Sequence, residues 1–282
     1  MRRRIGVEKD KPIKLTSGMR PGDKKMGLVG AVYTVDRYRR TPQQIVEALF
    51  RTGEPPDTPS GRPKPCAKHV RAALKRDLAE TTTPQVEEIF GWMAKEAAQR
   101  GGSEQKRSLV LLMDGQLSLW EAGLTHLPVE KFEVIEILDL LHAVSYVWKA
   151  VHLFHPDDSV QSAKLARKQV SRLVSGNSAL MIQSFLRKAN HDRLSKKKKS
   201  ELDQIIGYFR SNAERMDYAN FLAAGYPIAS GIIEGACRTV IKDRMERAGM
   251  RWVFEGAHAM MGMRAIQLTQ VFPIKNISLI YQ

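Results

Sequence analysis

Two short stretches decide the fold: SLVLLM at 108–113, running into Asp114-Gly115, and FEVIEIL at 132–138, running into Asp139. Each is a compact apolar run of strand length. Runs without strict polar alternation read as strands covered on both faces, the habit of parallel sheets. Asp114-Gly115 is turn chemistry, and 116–123 reads as a short helix between the two runs. If the strands are parallel neighbours, Asp114 and Asp139 leave the same edge of the sheet, where open α/β sheets keep their chemistry.

Outward from this centre the pattern differs on the two sides. Upstream, MGLVGAVYTV at 26–35 is small and β-branched and reads as a buried strand. A short strand is expected at 12–16 in an otherwise basic, turn-rich opening, and the Pro- and Gly-rich 53–65 reads as a loop. Residues 67–80 and 84–99 carry helical periodicity. Downstream of Asp139 nearly everything reads helical, with amphipathic stretches at 158–175, 178–189, 195–212, 230–247 and 255–268, edged by Ser, Asp or Gly. Strands therefore cluster in the first half and helices in the second.

Composition narrows the function. Apolar residues make up 43% of the 282, enough for a large buried core, and charged residues 27%. Lys and Arg outnumber Asp and Glu by 45 to 30, a formal charge of +15. Such an excess favours polyanionic partners, nucleic acid or an anionic surface. No apolar run is long enough for a membrane span, and no apolar signal core follows the basic start, so a cytoplasmic, nucleoid-associated protein is expected. Cys66 and Cys237 fit no metal-ligand spacing.

Three elements carry candidate chemistry. Neighbouring carboxylates such as Asp114 and Asp139 repel one another unless a cation lies between them, and oxygen ligands suit Mg²⁺ or Mn²⁺. Asp is equally a favoured helix N-cap, which needs no metal. His142, three positions after Asp139, falls on the same helical face. The third element is GYPIASGIIEGACR at 225–238, a Gly/Pro turn entering a helix with Ser230 as candidate N-cap and Glu234 in the first turns. Glu234 pairs either with Arg238 at i+4 or with a divalent metal shared with Asp114. Beyond it Arg238, Lys242, Arg244 and Arg251 form a basic run suited to phosphates. Trp252 suits either stacking on a base or a place in the core. The lysine run 196–199 reads as a solvated surface or a DNA contact.

With these residues together, the sequence resembles insertion-sequence transposases of the ISKra group, relatives of the Mutator-like DDE transposases. The resemblance is carried by LVLLMDG ending at Gly115, by ILDLLHAVSYVWKA from Ile137 to Ala150, by the 225–238 stretch, and by KDRM from Lys242 through GMRW at Gly249 to Trp252. It spans about residues 26–268. It implies an α/β fold with an RNase H-like mixed sheet, a large all-helical insertion and a helix-rich C-terminal half. Residues 1–150 would form the core lacking its first strand, 151–225 the helical insertion and 226–270 the part of the core with the catalytic helix. Residues 271–282 read as an atypical tail.

Under that resemblance Asp114 and Glu234 are catalytic metal ligands, and Asp139 and His142 an auxiliary element. Arg238, Lys242, Arg244, Arg251 and Trp252 would contact DNA. The implied cofactor is Mg²⁺ or Mn²⁺, and the implied partners are transposon-end and target DNA, met as a homo-oligomer. The first Asp of the triad has no strand-borne counterpart before 26–35, since Asp10 and Asp23 lie in turn-rich sequence and Asp36 follows a strand. The chain therefore reads as a truncated transposase, with a non-catalytic DNA-binding remnant or inhibitor of transposition as the alternative.

Overall fold

The computed structural model describes residues 27–51, 61–74, 84–100, 107–127, 131–155, 159–245 and 252–269. Asp10, Asp23, the strand expected at 12–16, the tail and Arg251 lie outside them.

Strands β3 (Arg107–Met113) and β4 (Phe132–Leu138) pair in parallel, Arg107 opposite Phe132 through Met113 opposite Leu138. The Asp139 N–H extends the ladder by donating to the Met113 carbonyl at 2.8 Å. Helix α3 (Leu117–His126) makes the connection. Alternate side chains explain the continuous apolar runs. Leu109, Leu111 and Met113 join Phe90, Trp120 and Val134 on one face, while Val110, Leu112, Ile135 and Ile137 join the helical core on the other. Both faces are covered, so polar alternation has no place in these strands.

Strands β1 (Gly27–Thr34) and β2 (Cys66–Leu74) form a separate antiparallel pair, with a register irregularity between Val32 and Thr34. The expected helix over 67–80 is a strand over its described part, 67–74. Its alanines and the Val70/Leu74 spacing satisfy a helical reading. Pairing with β1 overrides that local preference, and Val70, Ala72 and Leu74 bury at period two against Ala236, Val240, Ala257, Met261 and Ala265. Among the described residues these are two two-stranded sheets, not the single mixed sheet expected. Helix α2 (Pro84–Arg100) touches both. Ile89 and Met93 lie so close over Gly30 of β1 that a Cβ there would meet them at 2.8 and 3.1 Å, while Phe90 packs in the cluster that contains Leu111 of β3. Arg37, just past β1, donates to the Ser108 hydroxyl at the start of β3 at 2.9 Å.

From Asp139 onward the chain is helical as expected. Between β1 and β2 lies α1 (Pro42–Leu49), closed by a capping box between Thr41 and Gln44. The second half runs through α4 (Leu140–Phe154), α5 (Val160–Val174), α6 (Ser178–His191), α7 (Lys196–Ser211), a 3₁₀ turn (Ala213–Met216) and α8 (Tyr218–Ala224). Helix α4 is the axis of this part. Ala143, Val147, Ala150 and Val151 recur at helical spacing and are fully buried against α5 and α7. Then follow α9 (Gly231–Cys237), a π-helical stretch (Arg238–Lys242), the short turn α10 (Asp243–Met245) and α11 (Phe254–Leu268). A π stretch leaves a carbonyl without its usual partner, and Arg264 on α11 supplies one by donating from Nε to the Thr239 carbonyl at 2.6 Å.

Candidate active site

The parallel pairing of β3 and β4 delivers Asp114 and Asp139 to one edge, as their placement after the two apolar runs requires. The two aspartates then part company. Asp139 is buried, and both of its carboxylate oxygens are fully engaged. Oδ1 accepts from the N–H groups of Leu141 and His142 at 2.8 and 3.2 Å, capping α4. Oδ2 accepts from the N–H and hydroxyl of Ser230 at 2.7 and 2.5 Å. The cap alternative therefore describes Asp139. Its further role is to tie the start of α9 to the sheet edge, reinforced by the Leu140 N–H donating to the Ile228 carbonyl at 2.9 Å.

Asp114 is exposed. Gly115 behind it has φ +93°, which closes the turn, and Asp114 Oδ1 accepts from the Gln116 N–H at 3.2 Å. The rest of the carboxylate faces outward. Tyr208 of α7 donates its hydroxyl to the Asp114 carbonyl at 2.9 Å and lies flat on Tyr146 of α4, ring centroids 3.8 Å apart. His142 is half-buried, tilted beside Tyr146 and Tyr208 at 5.4 and 6.0 Å. Lys149 sits over Tyr146 at 4.0 Å. Neither tyrosine is visible as a site residue in the sequence, where Tyr208-Phe209 reads as part of an apolar stripe. The one available signal is that Tyr146 follows His142 by four positions, on the same helical face.

Glu234 occupies the first turn of α9, its N–H donating to the Ser230 carbonyl at 3.0 Å. Ser230 holds the N-cap position as expected, but its hydroxyl serves Asp139 and makes no cap bond. No ion pair joins Glu234 to Arg238 among the described residues, so the i+4 pairing is not formed. Surrounding atoms and then the Asp139 charge push the Glu234 carboxyl above its ordinary range, with Lys242 opposing. One turn on, burial raises the Cys237 thiol, Lys242 lowers it, and Glu234 and Asp114 both raise it. Asp114 and Glu234, far apart in sequence, thus act on the same thiol. Burial, Tyr146, Asp114 and Asp139 likewise push the Tyr208 phenol up.

Asp114 and Glu234 are both exposed, and Asp139 is the buried, structural carboxylate. Among the described residues no group of three His, Cys, Asp or Glu side chains is placed to hold a metal. Among the described residues the exposed carboxylates of Asp114 and Glu234 are therefore without a third ligand of these types. Arg238 and Lys242 are exposed beyond Glu234. The Arg244 side chain and all of Arg251 are outside the described residues. Trp252 is 37% exposed, which removes the core alternative for it. No described helix is long and apolar enough to cross a membrane. Comparison with protein-family models, with curated proteins and with solved structures finds no match to this chain.

Proposed function

We propose that this chain is a DDE-type insertion-sequence transposase, or a piece of one, built on an RNase H-like sheet. One observation carries the reading. A parallel strand pair brings Asp114 and Asp139 to one edge, and the Asp139–Ser230 contact holds the Glu234 helix against it. Under this reading the parallel pair β3–β4 carries the catalytic edge, the antiparallel pair β1–β2 is a separate sheet linked to it through α2, and the helices from 151 to 225 are the insertion, whose Tyr208 closes over the Asp114 turn. Asp114 and Glu234 would hold Mg²⁺ or Mn²⁺. Such ions, when bound, activate a water or a 3′-hydroxyl and stabilise the leaving oxygen of a phosphodiester. The chain's own contribution is orientation. The cap at Asp139 sets α9, Lys242 offsets the Glu234 charge, and Arg238 and Lys242 attract the DNA backbone.

The absence of a third ligand among the described residues favours a second reading, a DNA-binding chain without cleavage. A supercoiled-plasmid nicking assay in Mn²⁺ separates the two. Nicking that is abolished by both Asp114→Ala and Glu234→Ala supports the enzyme. Salt-sensitive DNA binding without nicking, unchanged in Glu234→Ala, supports the non-catalytic reading. Nicking that survives both substitutions overturns the assignment of the site.

A further inference from the structure

Away from the carboxylates, α1 and α5 enclose a groove of about 760 Å³. Its α5 wall carries Lys164, Arg167, Lys168 and Ser171, and its α1 wall Thr41 and Gln43. The three cations are exposed, and none has an acidic partner among the described residues. Helix α5 contains no acidic residue at all, and among the described residues Glu47 is the sole acid lining the groove.

We propose that this groove seats the phosphodiester backbone of duplex DNA. The inference rests on the nucleic-acid reading above but not on the carboxylate site. Lys164, Lys168, Ser171 and the C-cap Ser175 recur at four, three and four positions, so they form one stripe running to the end of α5. At about 1.5 Å per residue the three cations span roughly 6 Å, one helical turn, and the two hydroxyls extend the row to roughly 16 Å. A row of cations continued by hydroxyls suits successive phosphates of a polyanion, whereas a single phosphate calls for donors that all converge on one point. None of the lining residues is aromatic, and single-stranded nucleic acid is bound mainly by stacking on aromatic rings. Backbone contact of this kind positions the duplex without reading its sequence.

The test is fluorescence anisotropy with a short random-sequence duplex in EDTA, titrated with NaCl. The variant K164A/R167A/K168A places good helix formers on an exposed face; a matched control, K131A/R187A/R210A, removes the same charge from exposed positions outside the groove. Both are checked by circular dichroism and thermal melting. The groove variant is expected to flatten the slope of log K against log salt by about 2–3, near 0.9 for each phosphate that is no longer neutralised, while the control keeps the wild-type slope to within about one. Equal flattening in both variants means net charge alone and overturns the groove, as does a wild-type slope in the groove variant. Loss of nicking with groove-dependent binding intact refutes only the carboxylate site. No DNA binding by the wild type refutes both.

Discussion

Asp139→Ala tests the staple on which the candidate site depends. The carboxylate is 6% exposed and accepts four hydrogen bonds, two from the start of α4 and two from Ser230. Losing an N-cap costs about 1 kcal/mol. Ser230 is itself buried, so its N–H and hydroxyl lose a charged acceptor, at about 1.5 kcal/mol each. Removing a buried charge and its repulsion on Glu234 returns about 1 kcal/mol. The net expectation is a loss of about 3 kcal/mol. Ser230→Ala removes only the hydroxyl donor and should cost about 1.5 kcal/mol. In the double variant the hydroxyl has no acceptor left to lose, so the two effects must fall short of additive by about 1 kcal/mol or more. Urea midpoints followed by circular dichroism measure all three. Strict additivity, or a loss below about 1 kcal/mol in Asp139→Ala, would show that the contact does not hold α9 to the sheet edge.

Other substitutions probe the neighbouring geometry. Gly115→Ala puts a Cβ 2.8 Å from Leu138 Cδ1 and 2.9 Å from Tyr208 Cε2 at φ +93°, and should cost about 3 kcal/mol in urea unfolding; a loss under about 1 kcal/mol would contradict the turn. Glu234→Gln bears on pH. The folded carboxyl titrates above its ordinary value, so the native state holds more protons than the unfolded chain in that window. Wild-type stability should therefore fall as pH rises through it. Glu234→Gln should lose that dependence and be the more stable form at about pH 7, above the ordinary carboxylate value; an unaltered urea-midpoint profile between about pH 4 and 7 would refute the assignment. Cys237 reports on convergence. In a Cys66→Ser background, Asp114→Asn and Glu234→Gln should each speed iodoacetamide alkylation of Cys237 and Lys242→Ala should slow it, because the thiolate is the nucleophile; indifference to Asp114→Asn would separate the two carboxylates.

Much of this arrangement is legible in the residues. Both central strands, their parallel pairing and the aspartates at one edge follow from apolar runs covered on both faces and ended by Asp. The amphipathic helices after Asp139 follow from their stripes and capping residues. Strand β2 is illegible because Ala72, Ala73 and the Val70/Leu74 spacing favour a helix locally, and only β1 and α11 make it a strand. At Asp139 the local pattern favours a cap over a metal ligand without deciding between them. What decides it is Ser230, a long-range partner that no local pattern announces. Tyr208 is hidden for a related reason, since an aromatic residue in an apolar stripe looks like core until the helix that bears it is docked over the Asp114 turn.

The central claim is that Asp114 and Glu234 form one cation-binding pair, and Mn²⁺ binding followed by electron paramagnetic resonance tests it most directly. Free Mn²⁺ is titrated against the wild type, Asp114→Asn, Glu234→Gln and, as control, Asp203→Asn, an exposed acid on α7. The account predicts one weak, saturable site in the wild type and the control that is lost in both Asp114→Asn and Glu234→Gln. Binding that persists in either single variant would contradict it.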